Sequence, residues 1–117
     1  MSRLVLVCGD ERLLLRTRDM VLSRAGLKVV LACTRMEIAS LPKDPAVELG
    51  IIGHSLTNAE QREVAGDVRE RWPGVRILFL TNSASSLEKI SADEYQSRSD
   101  NPSELIETCQ QILGTVS

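Results

Sequence analysis

The sequence has no uninterrupted apolar stretch that approaches the length of about 20 residues needed to cross a bilayer. Its N-terminus, MSRLVLVCGDE, reaches acidic residues too soon for a secretory signal peptide. The 14 basic residues are scattered and the formal net charge is −2, whereas nucleic-acid binding requires clustered Lys and Arg that displace counterions. These absences predict a chain with no membrane segment and no direct nucleic-acid partner.

Cysteine and histidine are too few and too dispersed to suggest a metal site. Cys8, Cys33 and Cys109 form no C-x-x-C pair, and His54 is the only histidine, so a zinc ligand set cannot be assembled from them. A redox pair of Cys8 and Cys33 is conceivable if their strands are neighbours. Buried thiols in a reduced, cytoplasmic protein are the simpler interpretation.

The familiar sequence signatures of catalysis and cofactor binding are also missing. There is no Ser-His-Asp set, no G-x-x-x-x-G-K-[ST] phosphate loop and no G-x-G-x-x-G fingerprint. A flavin mononucleotide site would need a loop rich in Ser, Thr and Gly after the first strand, where the sequence reads CGDERL. We therefore predict that the chain is not an enzyme and carries no cofactor.

The sequence does contain a regular alternation of strand and helix patterns. Its 117 residues, 43% hydrophobic and 26% charged, suit one globular domain over 1–117. Four buried strands are predicted from short apolar runs, which read RLVLVC, LKVVLAC, VELGII and VRILFL. A fifth, short edge strand is expected near ADEYQS. Because the strands do not alternate polar and apolar residues, they predict a parallel sheet with helices on both faces.

Local capping signals mark where several helices begin. Thr34 with Glu37, and Thr57 with Glu60, have the spacing of capping boxes. Asn101 is expected to cap the last helix. Helices are thus predicted to follow the second and third strands and to end the chain.

The first helix is predicted to begin after Asp10 and to bury one apolar face. Leu14, Val21 and Ala25 fall near one side of a helix of 3.6 residues per turn, and Leu13 and Met20 lie close to them. We expect this face to pack on the sheet.

The carboxyl ends of the strands are where a parallel sheet of this kind would bind a ligand. Four segments follow the predicted strand ends: 8–10, 53–55, 81–83 and 97–99. Any functional site is therefore expected among these segments.

Four segments together resemble a known family. The strings LVLVCGDERLLLRTRDMVLSRAGLKVVLA, VELGIIGHSLT, RERWPGVRILFLTN and ADEYQSRSDNPSELIETCQQIL occur in this order from residue 3 to residue 114. In this order they resemble the receiver domain of bacterial two-component response regulators, the CheY-like family. The resemblance implies a doubly wound, five-stranded parallel sheet of order 2-1-3-4-5. The chain is shorter than the family pattern after residue 81, which implies a shortened fourth helix.

The resemblance places the family's phosphorylation site on residues that cannot perform its chemistry. The phosphorylated aspartate of the family falls on Gly53, which has no side chain. The acidic pair that holds Mg²⁺ falls on Cys8 and Gly9, beside Asp10. Mg²⁺ requires oxygen ligands, so we expect Mg²⁺ binding to be lost.

Gly53 and its neighbour leave two questions open at this stage. Gly53 could relieve crowding, permit a positive φ, or allow a ligand to approach the backbone. His54 should point away from the pocket position of Gly53, because successive strand residues face opposite sides. We expect His54 to be structural or to face solvent.

Other positions linked to switching in the family are retained or nearly so. The resemblance identifies Thr81 with the hydroxyl residue, Tyr95 with the switching aromatic, and Arg98 with the lysine, followed by Ser99 in place of a proline. Arg98 could pair with Asp10, turn to solvent, or bind an anion together with Thr81. Tyr95 is expected to rest in one state.

The resemblance and its departures together predict a pseudo-receiver. Its expected role is a protein-interaction or regulatory module of two-component signalling that acts without phosphorylation. The expected partner is a protein, and self-association through the last strand and helix is a further option. Two alternatives remain: a sensor of a small anionic ligand in the strand-end crevice, and a receiver with a displaced acceptor such as Asp10.

Overall fold

The computed structural model describes residues 3–81, 87–98 and 102–114. These residues contain six strands, which are β1 Leu4–Cys8, β2 Lys28–Ala32, β3 Leu49–Ile52, β4 Arg76–Leu80, β5 Glu88–Lys89 and β6 Glu94–Ser97. The same ranges contain four helices, which are α1 Arg12–Arg24, α2 Arg35–Ser40, α3 Asn58–Arg71 and α4 Pro102–Leu113.

All six strands form one sheet in the order β2-β1-β3-β4-β6-β5. The pairs that join β2, β1, β3, β4 and β6 are parallel, so the predicted order of five parallel strands is confirmed. The short strand β5 pairs antiparallel with β6 and was not predicted; it lies outside the strand that was expected at the edge.

Residues 87–93 contain β5 and no helix, and residues 82–86 lie outside the described residues. The predicted shortened helix therefore has no counterpart in the described part of this segment.

Helices cover both faces of the sheet, as predicted. On one face, strand side chains pack with residues of α1 and α4; this cluster contains Val5, Val7, Leu15, Leu22, Ile51, Leu78, Leu105 and Cys109. On the other face they pack with α2 and α3; this cluster contains Leu6, Cys8, Ile38, Ile52, Ala65, Val68 and Trp72. The strands read as continuous apolar runs because both of their faces are buried.

The predicted capping boxes form at both positions. The Thr34 hydroxyl accepts from the Glu37 backbone N–H, and the Glu37 carboxylate accepts from the Thr34 N–H. Thr57 and Glu60 make the same reciprocal pair. Each box fixes the start of a helix on the side of the sheet where the strands end. Asn101, the predicted cap of the last helix, lies outside the described residues.

The buried face of α1 differs from the predicted one. Leu15, Arg18 and Leu22 are the buried residues of this helix, whereas Leu13 is 80% exposed and Met20 is 58% exposed. The prediction that Leu13 and Met20 lie near the buried face is therefore wrong. Three consecutive leucines at 13–15 leave the rotation of the helix ambiguous, and a buried arginine interrupts the apolar pattern that would have resolved it.

A carboxylate on β6 attaches the sheet to α3. Glu94 accepts hydrogen bonds from Arg62, at 3.0 Å, and from Arg69. The Arg62 guanidinium also lies over the Phe79 ring, 4.8 Å from its centroid. Burial of Glu94 favours its neutral form, yet the bonds from Arg69 and Arg62 outweigh this effect and hold the pKa of the carboxyl below its ordinary value.

In the described parts of the chain, every helix is too short or too polar to span a bilayer.

The assignment of the α1 face can be tested with two leucines on the same helix. Leu22→Ala removes a fully buried side chain and is expected to lower the free energy of unfolding by about 3 kcal/mol. Leu13→Ala, the matched control at an exposed position, should change it by less than about 0.5 kcal/mol. Urea denaturation of both variants provides the measurement. Equal losses at the two positions would contradict the observed face.

The contribution of Glu94 should depend on pH in a defined direction. Because the pKa of Glu94 is lowered in the folded state, its stabilisation is present above its unfolded pKa of about 4.3 and is lost as pH falls through the folded pKa. Glu94→Gln should therefore be less stable than the natural chain by about 2 kcal/mol at pH 7. This gap should shrink as the solution is acidified below pH about 4. A gap that stays constant with pH would rule out the ion pairs as its cause.

Candidate functional site

The parallel sheet brings the predicted site positions together at one edge. Gly9 and Asp10 follow β1, Gly53 follows β3, Thr81 follows β4 and Arg98 follows β6. Backbone bonds extend the strand pairing to this edge: the Gly53 N–H donates to the Cys8 carbonyl at 2.9 Å, and the Thr81 N–H donates to the Ser97 carbonyl at 2.9 Å. The candidate site lies where these chain ends meet.

The space beside Gly53 is filled by an arginine from α1. A Cβ placed on Gly53 would lie 3.2 Å from Arg18 Nη1 and 3.1 Å from the Cys8 carbonyl oxygen. Among the described residues only Gly26 and Gly114 have positive φ, so backbone conformation does not require glycine at 53. Close approach by Arg18 and Cys8 explains this glycine, which agrees with the interpretation that it relieves crowding.

Arg18 is a buried cation. The residue is 4% exposed, and this burial lowers the pKa of its guanidinium, while the Glu11 carboxylate acts in the opposite direction. Arginine nevertheless stays protonated in proteins. The positive charge of Arg18 is thus held beside Gly53.

His54 contacts the same guanidinium. Arg18 Nη2 lies 3.3 Å from His54 Nδ1. Since every polar hydrogen of arginine is a donor, this hydrogen bond requires the imidazole with an unprotonated Nδ1. His54 is half-buried and lies against Arg18; that its role is structural stays a prediction.

A glutamine of α3 fixes the backbone on the other side of Gly53. Gln61 Nε2 donates to the Gly53 carbonyl at 2.9 Å and to the Leu80 carbonyl at 3.0 Å. Gln61 is buried, and its amide satisfies two carbonyls at the ends of neighbouring strands. The position of Gly53 is therefore fixed from both faces of the sheet, by Arg18 and by Gln61.

Sequence reasoning did not identify Arg18 or Gln61, although each leaves a signal. Arg18 stands three residues after Leu15 and four before Leu22, on the apolar face of α1. Gln61 stands four residues before Ala65 in the buried row of α3. A polar side chain at an apolar helical position indicates a buried polar contact, because such groups are hydrogen-bonded when buried.

The residues that the resemblance assigned to Mg²⁺ do not fit that ion. Burial, with a smaller effect of Cys33, raises the pKa of the Cys8 thiol to about 12, so Cys8 is a neutral thiol. Gly9 has no side chain. The Asp10 carboxylate accepts the Ser55 hydroxyl at 2.5 Å. Mg²⁺ prefers several oxygen ligands, and these three positions supply one carboxylate.

The retained positions lie around the same edge. Thr81 is half-buried, and Arg98 is exposed. Tyr95 is half-buried against the cluster on the α1 and α4 face. Ser83 and Ser99, which belong to the predicted strand-end segments, lie outside the described residues.

A cavity of about 260 Å³ opens beside Cys8, between α2 and α3. Its lining includes Glu60 and Glu63, and its arginine, Arg35, is paired with Glu63 and Asp67. The acidic lining makes this cavity unfavourable for an anion.

The contact of Arg18 with position 53 can be tested with a pair of isosteric substitutions. Gly53→Asp and Gly53→Asn introduce side chains of nearly equal size, and only the first carries a charge that attracts Arg18. We expect the Asp variant to be more stable than the Asn variant by about 1–2 kcal/mol at pH 7, because a nearby cation lowers a carboxyl pKa by about one unit or more.

The pH dependence separates charge from crowding in this pair. A lowered pKa contributes stability above the unfolded pKa, and that stability is lost as pH falls through the folded pKa. The two variants should therefore unfold at similar temperatures at pH about 2. If the Asn variant is as stable as the Asp variant at pH 7, the guanidinium is not beside position 53.

Comparisons with known proteins give a consistent fold. No family model matches the chain, and no curated protein matches it. Among solved structures, a CheY-like response regulator receiver domain protein of Methanospirillum hungatei JF-1 superposes with a TM-score of 0.76 at 19% identity, covering 98% of this chain and 96% of the other.

Two further structures agree with the first. The response regulator TrrA of Thermotoga maritima matches with a TM-score of 0.70 at 25% identity, covering 94% of this chain and 98% of its own. The chemotaxis protein CheY4 of Vibrio cholerae matches with a TM-score of 0.72 at 19% identity, covering 96% and 99%. The chain therefore has the CheY-like α/β fold that response regulator receiver domains share.

Proposed function

We propose that the chain is a receiver-like module of two-component signalling that acts through protein binding and without phosphorylation. The observation that carries this proposal is the packing of Arg18 against Gly53. The position where the resemblance expects a reactive carboxylate has no side chain, and a cation from α1 occupies the adjoining space.

The chemistry of the site supports the same conclusion. Phosphoryl transfer to a carboxylate needs an acceptor oxygen and positive charge that neutralises the phosphoryl group. The Thermotoga maritima regulator was solved in complex with Mg²⁺ and a BeF group. In this chain the positions that the resemblance assigns to the acidic pair are a neutral thiol at Cys8 and a glycine at Gly9, and the buried guanidinium of Arg18 lies beside Gly53.

The fixed charge at the site supports a constitutive role. In a switchable domain, a ligand shifts the population between two states only if it binds them with different affinity. Arg18 is covalently part of the chain, so the positive charge beside Gly53 is always present. We propose that the partner-binding surface is consequently held in one conformation.

The surface we propose for the protein partner includes β6 and α4. The segment before β6 forms strand β5, which leaves Ile90 43% exposed at this end of the sheet. Self-association belongs to the proposal and would use this same end of the sheet, where β5 forms the edge.

Two alternatives remain predictions. An anion sensor would use Thr81 and Arg98, which follow the adjacent strands β4 and β6. A displaced acceptor would use Asp10, whose carboxylate accepts the Ser55 hydroxyl. The leading proposal is preferred because it is supported by a specific packing contact, that of Arg18 with Gly53.

Intact mass spectrometry tests the leading proposal directly. Incubation with a small phosphodonor and Mg²⁺ should leave the mass of the chain unchanged, because no carboxylate is positioned for transfer. An ordinary receiver domain with its acidic residues, treated in parallel, should gain about 80 Da.

The presence and the location of a phosphoryl adduct would decide between the leading proposal and the displaced-acceptor alternative. A stable, acid-labile gain of mass would overturn the proposal. Loss of that gain in Asp10→Asn would assign the adduct to the displaced acceptor. Retention of the gain would direct the search to His54, since phosphohistidine is also acid-labile.

A further inference from the structure

A second cleft lies at the opposite end of the sheet from Gly53. It has a volume of about 640 Å³ and is bounded by the segments that enter β3 and β4 and by the end of α4. Its lining includes Arg3, Lys43, Glu48, Arg71, Trp72 and Arg76. The size is within the range of about 300–1,000 Å³ typical of small-molecule sites.

The charge of this cleft is opposite to that of the whole chain. Four of its lining residues are cationic and one is acidic, whereas the chain has a net charge of −2. The acidic residue, Glu48, is neutralised by Arg3 at 2.8 Å. The remaining three cations give the cleft a local positive potential, which attracts anions.

The guanidinium groups are held in place by backbone carbonyls. Arg71 Nε donates to the Leu41 carbonyl at 2.8 Å, and Arg76 Nη1 donates to the Ile112 carbonyl at 2.5 Å. An arginine has five N–H donors in a planar fork, so these bonds fix each group and leave donors for a ligand. In the described part of the chain no carboxylate pairs with either group.

The lysine of the cleft is open to a ligand. Lys43 is exposed at the rim and makes no hydrogen bond or ion pair with the residues that the structure describes. A cation with no partner among the described residues thus borders the cavity.

We propose that this cleft binds a small anion that carries more than one phosphate group. The three cations at Lys43, Arg71 and Arg76 call for more negative charge than one carboxylate carries, and a ligand with several phosphate groups supplies this charge together with oxygens that arginine can contact in bidentate fashion. The site is independent of position 53, so its test and the phosphodonor test can fail separately.

The single tryptophan provides a local reporter. Trp72 is the only tryptophan of the chain, so titration with sodium pyrophosphate can be followed by its emission, with sodium chloride at equal ionic strength as the reference. A saturable change is expected with pyrophosphate and not with chloride. Amide NMR shifts provide a second readout and should centre on residues 43 and 71–76.

Two substitutions of equal charge separate local binding from long-range attraction. Lys43→Glu should raise the dissociation constant about tenfold or more. Arg16→Glu, on the exposed surface of α1, changes the net charge by the same amount and should leave the constant within about twofold. Thermal unfolding of both variants checks that they fold.

Three results would overturn the proposal. The first is the lack of a saturable response in both readouts up to about 10 mM pyrophosphate, a concentration at which even weak binding is seen. The second is an equal effect of the two substitutions. The third is a set of shifts centred on Gly53 and Thr81, which would place the anion in the strand-end crevice instead.

Discussion

The contact between the Arg18 guanidinium and Gly53 is the constraint on which the strand-end edge of this molecule depends. A buried cation is tolerated only where its donors find partners and the surrounding groups leave room for it. Glycine leaves that room, and His54 supplies an acceptor at 3.3 Å. The absence of a side chain at Gly53 and the burial of an arginine are therefore two aspects of one packing arrangement.

On the opposite face of the sheet, polar side chains of α3 hold the strands. Gln61 of α3 holds the Gly53 and Leu80 carbonyls, and Arg62 and Arg69 of the same helix hold Glu94 on β6. Helix α3 is thus attached to three successive strands of the sheet by polar side chains. The Gln61 bonds hold the carboxyl ends of the strands at Gly53 and Leu80, whereas the bonds to Glu94 hold the start of β6.

Local signals in the sequence were sufficient for much of this fold. Apolar runs and the capping boxes at Thr34 and Thr57 depend on neighbouring residues, and both the four buried strands and these caps were predicted correctly. The strand order was an implication of the family resemblance and not of these local signals. The face of α1 was not, because consecutive leucines fit several rotations of a helix and only packing selects one. The contacts of Arg18 and Gln61 join residues that are far apart in the chain, and no spacing rule reveals such contacts. Strand β5 is two residues long, too short for a periodicity to appear.

Because Arg18 lies so close to Gly53, the effect of a substitution at one of these positions depends on the residue at the other. An acidic residue that arose at position 53 would meet a cation already in place and would be held as an ion pair, not as a free nucleophile. Any side chain at position 53 would need a shift or a replacement of Arg18, because its Cβ would lie 3.2 Å from Arg18 Nη1. Substitutions at positions 18 and 53 are thus expected to be non-additive, because the Arg18 guanidinium occupies space that the glycine leaves open.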